Sequence, residues 1–109
     1  MSPWRLALEV AAWKNGKFNA RRGVALGVSV GRENVKKFFN KKWDVVVVEV
    51  DGMPVVVKPP RAFWTTCPEL RSSAIGDWLE KQGLVPWQKG RPPRLVLIPQ
   101  GGNRFRLAV

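Results

Sequence analysis

The chain has 109 residues, 45% of them hydrophobic, and 19 lysines and arginines against 8 acids give a formal net charge of +11. That length sets one domain, residues 1–109, with a single modest core, and no run reaches the ~18 consecutive apolar residues of a membrane span. There is no histidine and one cysteine, Cys67, which removes the commonest general base, an internal disulfide and a structural zinc site.

In chain order, the segment MSPWRLALEV lacks the basic n-region and small-residue cleavage site of a signal peptide. Trp4, Leu6, Leu8, Val10 and Ala12 alternate as in a strand, and Asn15-Gly16 between two lysines reads as a hairpin turn. The helix-start pair Ser2-Pro3 competes with that reading. In 22–30, Val24, Leu26, Val28 and Val30 line one face, while Gly23, Ala25, Gly27 and Ser29 leave the other bare. Such a face lets another backbone approach or a helix pack tightly, and helix packing is the preferred reading.

Val35, Phe38 and Phe39 have the spacing of a short helix in 31–43, flanked by Lys36, Lys37, Lys41 and Lys42. Cations there also suit the negative end of the helix dipole. Segment 44–60 reads as a hairpin turning at Asp51-Gly52. A two-residue loop pairs Val50 with Met53, Val48 with Val55 and Val46 with Val57, an apolar face expected in the core. The connector 58-KPPRAFW-64 reads as stiff and extended. Thr66, Cys67, Pro68 and Glu69 match a capping box for a helix through Leu70, Ala74, Ile75, Trp78 and Leu79, stopped by Gly83. A second stiff connector, 84–94, leads to a hairpin over 95–109 whose turn contains Gly101-Gly102. In any register Arg104 and Arg106 share a face opposite Phe105 and Leu107. These elements predict an α+β domain. Hairpins build its antiparallel β-sheet, and two main α-helices pack against that sheet to form a basic cleft.

Charge and rings indicate what such a cleft would hold. Between Lys14 and Lys42 the only acid is Glu33, and none follows Glu80. Solvated surfaces ordinarily interleave both signs, so this segregation points to a polyanion. There are six tryptophans and five phenylalanines. Trp78, Phe38 and Phe39 sit on apolar helix faces and belong to the core. Phe63, Trp64 and Trp87 lie in the proline-stiffened connectors, where they either lid the core or stack on bases. A stacked base is worth about 1–3 kcal/mol whatever its identity, whereas bases in an intact duplex already stack on one another. Rings beside cations therefore suit single strands.

The alternatives are weaker in the residues. A basic protein binding RNA within a ribosome or chromatin accounts for the charge but not for the tryptophans. A Mg²⁺-dependent nuclease would use Asp44, Glu49 and Asp51, yet Asp51 is better used in the turn and Asp44 faces the other way. Cys67 lacks the histidine that would activate it. The sequence reads as non-enzymatic, with no cofactor and no metal.

The stretch 63-FWTTCPELRSSAIGDWLEKQGLVPW-87 and the hairpin 94-RLVLIPQGGNRFRLAV-109, within a basic, tryptophan-rich domain, resemble the DNA-binding domain of ThermoDBP, the non-OB-fold single-stranded DNA-binding proteins of hyperthermophilic archaea. The resemblance covers most of the chain as overall pattern. It implies sequence-tolerant binding of single-stranded DNA in a positively charged cleft, in a cytoplasmic, nucleoid-associated protein without membrane contact. Oligomerisation in that family uses a C-terminal leucine-zipper-like segment, absent here. Ala108-Val109 ends within a strand pattern, as in a chain trimmed after its binding domain. RNA remains an alternative ligand, since no residue senses a 2′-hydroxyl. The candidate phosphate contacts are Lys14, Arg21, Arg22, Lys36, Lys37, Lys41, Arg61, Lys89, Arg91, Arg94, Arg104 and Arg106. The candidate stacking rings are Phe63, Trp64 and Trp87.

Overall fold

Alternating side chains build one concave apolar face, and a computed structural model describes it over residues 7–16, 18 and 25–109. Trp4, Leu6, Gly23, Val24 and two candidate phosphate contacts, Arg21 and Arg22, lie outside the described residues. Strand β1 (Leu8–Asn15) buries Leu8, Val10 and Ala12, and β2 (Ala25–Ser29) buries Leu26 and Val28. Strand β3 (Val46–Val50) buries Val46, Val48 and Val50, and β4 (Met53–Val57) buries Val57. Short β5 (Glu69–Arg71) adds Leu70, β6 (Arg94–Gly101) adds Leu95 and Leu97, and β7 (Arg104–Ala108) adds Phe105 and Leu107. Among the described residues no polar or charged residue is buried.

The strands form one seven-stranded sheet in the order β4-β3-β7-β6-β1-β2-β5. Neighbours are antiparallel except β3 and β7, which run parallel with Val48 opposite Phe105 and Glu49 opposite Arg106. Sheet twist curls this ribbon close to a barrel. The expected antiparallel sheet under two main helices is thus incorrect. The sheet is mixed, and its helices, α1 (Arg32–Phe38) and α2 (Ser73–Lys81), have 7 and 9 residues. At 1.5 Å per residue they are about 10–14 Å long, too short to cover a sheet face. The curl lets the sheet bury its concave side against itself, and the helices plug the ends.

The first long hairpin forms in the expected register, Val46↔Val57, Val48↔Val55 and Val50↔Met53. Asp51 and Gly52 both have positive φ, 49° and 79°, the geometry that matches a two-residue loop to strand twist. Its apolar face is not wholly core, however. β4 is an edge strand, so Val55 is half-buried and Met53 is 64% exposed. In the C-terminal hairpin Leu97 faces Leu107 and Pro99 faces Phe105, with an irregularity between Pro99 and Gly101. Arg104 and Arg106 are exposed on the convex side, opposite buried Phe105 and Leu107.

Both connector readings around 58–72 change. Arg61–Trp64 is a 3₁₀ turn rather than an extended link. Pro60 opens it, the Phe63 N–H donates to the Pro60 carbonyl, and burial of the Phe63 ring draws it down onto the core. Thr66 caps no helix. Thr65, Thr66 and Cys67 all donate their N–H groups to the Ala62 carbonyl, and Glu69–Arg71 pairs with β2, with Leu70 opposite Val28. Helix α2 starts only after Ser72, whose hydroxyl accepts the Ala74 N–H at 3.2 Å. Burial of Leu70 against the sheet outweighs the local capping pattern.

The bare face of β2 takes the backbone of a neighbouring strand rather than the expected helix, which packs on the opposite, Leu26 face. A Cβ on Gly27 would run into the Leu70 carbonyl oxygen of β5, and a Cβ on Gly76 of α2 would lie 3.2 Å from Leu26. Gly27→Ala should therefore lower stability by about 1–3 kcal/mol in denaturant unfolding, because backbone must move. Ser72→Ala should cost about 1 kcal/mol and Thr66→Ala clearly less. The reverse order would restore the earlier helix start.

Candidate nucleic-acid interface

The topology sorts the rings and cations between two ends of the barrel. At one, the cap end, β3 and β7 begin and β2, β4 and β6 finish. The segments 30–45 and 58–68 close it. At the other, β1, β3, β5 and β7 finish, and α2 with the connector 82–93 closes it. A five-residue strand at 3.3 Å per residue separates them by about 16 Å.

The cap is built on aromatic packing. Asn34 donates its side-chain amide to the carbonyls of Val30 at 2.9 Å and Glu9 at 3.1 Å, tying α1 to β1 and β2. Val35 is buried, and the chain leaves the helix at Phe39 in an extended conformation. The Phe39 ring stacks on Phe105 at 4.6 Å with an interplanar angle of 8°, and meets Phe63 edge-on at 5.3 Å. Trp43 packs edge-on against Phe39 and Phe105, at 5.9 and 6.2 Å, and Trp64 against Phe63 at 4.9 Å. Phe63 and Phe105 are fully buried, while Phe39, Trp43 and Trp64 are half-buried.

Exposed cations lie on the same two segments as those rings. In 40–43 the Lys42 N–H donates to Asn40 Oδ1 and the Trp43 N–H to the Asn40 carbonyl, at 2.9 and 3.0 Å. This turn folds Trp43 inward and leaves Lys41 and Lys42 exposed. Arg32, Lys36, Lys37, Lys58 and Arg61 are exposed on the same closing segments, whose exposed acids are Glu33 and Asp44. Asn103 joins the rim to β7, since its amide donates to the Val45 carbonyl at 2.9 Å and its own carbonyl accepts the Val47 N–H. Arg104 follows directly and Arg106 lies one step further along the convex face, beside Glu49.

Of the sequence-predicted residues, the cap brings together Lys36, Lys37, Lys41, Arg61, Trp64 and Arg104, with Arg106 adjoining. Phe63 is incorrect as a stacking ring: at 1% exposure it supports the cap from within. Lys14, Trp87, Lys89, Arg91 and Arg94 belong to the opposite end. There Phe18 meets Trp87 edge-on at 4.8 Å, and Lys14 Nζ lies 5.2 Å from the Phe18 ring centre while donating to the Gly16 carbonyl at 2.6 Å. The expected single trough is thus divided between two ends. Nor do the described cavities form a basic cleft, since both lie beside α2 and are lined by Asp77 and Glu80.

Sequence reading passed over Trp43, Lys42 and Lys58 on the cap. It also missed Arg71 stacked on Trp13, 5.0 Å from the ring centre across the bare position of Gly27. Trp43 follows a lysine pair at the close of a helical pattern, which was the available signal. The Arg71–Trp13 contact depends on strand register and has no local signature. Asp44 precedes β3 and Asp51 follows it, so with Glu49 on the convex face these acids spread along a strand.

No protein-family model, curated protein or solved structure matches the chain. The cap stands on Phe39, and Phe39→Ala should cost about 2–4 kcal/mol in denaturant unfolding. It should also red-shift the tryptophan emission as Trp43 loses its packing.

Proposed function

We propose that the chain binds single-stranded nucleic acid at the cap end, without sequence preference, through phosphate contacts and base stacking. The observation that carries this reading is that exposed Arg32, Lys36, Lys37, Lys41, Lys42, Lys58 and Arg61 share the two closing segments of the cap with half-buried Trp43 and Trp64. Lysine and arginine gain from phosphate by releasing condensed counterions. A half-exposed indole offers a π face to an unpaired base. The cations on α1 also ease its helix dipole, but that accounts for the last turn alone and not for Lys41, Lys42, Lys58 and Arg61. DNA is the preferred ligand through the resemblance to single-stranded DNA-binding proteins, with RNA as the alternative. Arg104 and Arg106 extend the path of the backbone onto the convex face.

A titration of tryptophan fluorescence with oligo(dT), oligo(U) and a duplex at two salt concentrations tests the reading. Single strands should quench and duplex should not. Trp64→Ala should weaken binding by about 1–3 kcal/mol with an unchanged salt slope. Lys37→Ala or Lys41→Ala should reduce that slope by about 0.7. Trp87→Ala, at the far end, should leave affinity unaltered. Equal affinity for duplex, or loss of binding in Trp87→Ala with none in Trp64→Ala, would refute the cap as the site.

A further inference from the structure

The opposite end carries a surface of different chemistry. A groove of about 800 Å³ runs between α2 and the β3–β4 turn, lined by Val50, Met53, Ala74 and Trp78 with Asp51, Asp77, Glu80 and Lys81. Three features mark it. Its floor is apolar, and Met53, at 64% exposure, is among the most exposed large apolar side chains of the described residues. Its rim is acidic in a chain of net charge +11, since three carboxylates there outnumber one lysine. Trp78 is 95% buried, and its indole Nε1–H has no hydrogen-bond partner, alone among buried side-chain N and O atoms of the described residues. A buried donor left unpaired costs about 1–3 kcal/mol, so a residue lining this groove carries a polar group that the described residues leave unmet.

The groove continues into a free strand edge. β4 pairs with β3 on one side and is the terminal strand of the sheet on the other. Between Asp51 and Lys58 it carries no charge, only Gly-Met-Pro-Val-Val-Val, and Val56 is 66% exposed. Edge strands are usually guarded by charge, by proline or by a covering segment. Here Pro54 removes one donor and no charged side chain guards the edge.

We propose that this groove and the edge of β4 together form a docking site for an extended, basic polypeptide segment of a partner protein. An added strand supplies backbone carbonyls as acceptors and sends alternate side chains into the groove. Its groove-facing aliphatic residues meet Val50, Met53, Ala74 and Trp78, while an arginine or lysine on the same face, next in the alternation at the mouth of the groove, meets Asp51, Asp77 and Glu80. The acidic rim selects this occupant. A polyanion is repelled here, and an uncharged or acidic strand leaves the carboxylates uncompensated. The groove lies at the end opposite the cap, the β4 edge runs from it towards the cap rim, and the occupant is a protein rather than a nucleic acid.

The test uses the whole chain and a fluorescein-labelled heptapeptide with a valine core and arginines at both ends, followed by anisotropy, with the same peptide carrying glutamate in place of arginine as control. Saturable binding of the basic peptide alone is expected. It should weaken at least about tenfold in Asp77→Lys/Glu80→Lys, whose side chains are exposed so that the fold is retained, while oligonucleotide affinity does not fall. In ¹⁵N spectra the Trp78 indole resonance should shift on peptide addition. No saturation at millimolar peptide, equal binding of the acidic peptide, or indifference to the charge reversal would overturn the assignment. Self-association abolished by the same reversal would assign the groove to a second copy instead. Because oligonucleotide binding is measured separately, failure here and failure of the cap are told apart.

Discussion

The structure depends on the stacking of Phe39 upon Phe105. Phe105 sits at the joint of the sheet, opposite Val48 in the parallel pair and Pro99 in the antiparallel one. Two locally formed hairpins, β3–β4 and β6–β7, meet along this parallel ladder, from Val47 opposite Arg104 to Glu49 opposite Arg106. A stacked aromatic pair adds about 0.5–1.5 kcal/mol beyond the area it buries. Here it also fixes where α1 ends and where the following turn begins. Phe63 closes the same cluster from the other crossing segment, so two stretches remote in sequence are held over one end of the barrel. Without that plug, Trp43 and Trp64 would have no defined place.

The distribution of charge follows from the same packing. The concave face is filled by valine, leucine and phenylalanine, and no buried residue among those described is polar. Every cation must therefore stand outside, and the short cap segments offer little surface besides their rims. Lys36, Lys37, Lys41 and Lys42 come from one brief helix and its turn, so their clustering is set by chain length rather than by long-range folding. At the far end, α2 bridges the gap left by the unclosed sheet. Its inward Ile75, Trp78 and Leu79 complete the core, and its outward Asp77 and Glu80 face solvent. The cap end is thus positive, while the other end sets the carboxylates Asp77 and Glu80 of α2 among cations of its own, Lys81, Lys89, Arg91 and Arg94.

Legibility in the sequence tracked the range of the interaction. The β3–β4 hairpin was readable to the residue, because Asp51-Gly52 and alternating valines act over a few positions. The outward pair Arg104 and Arg106 was readable for the same reason. The mixed sheet was not. The parallel union of β3 with β7 joins strands more than fifty residues apart, and no local pattern encodes it. Leu70 shows a sharper conflict, in which a good capping pattern at Thr66 yielded to burial against Val28 and the helix waited for Ser72. Of the candidate rings, Phe63 was misplaced because proline stiffness was read as exposure. Trp64 and Trp87 could not be separated before topology put them at opposite ends.

That separation decides whether the two ends interfere. Screening at physiological ionic strength has a length of about 8 Å, and the ends are about 16 Å apart along the strands. Two screening lengths reduce a solvent-exposed interaction to a small fraction of its unscreened value, so phosphates on the cap exert little force on Asp77 and Glu80. A groove that excludes polyanions and a rim that attracts them can then act side by side on a domain this small. The convex face between them carries Arg106 beside Glu49 rather than an unbroken basic stripe. A strand leaving the cap along β7 meets a carboxylate midway, and this limits how far along the barrel a nucleic acid is drawn.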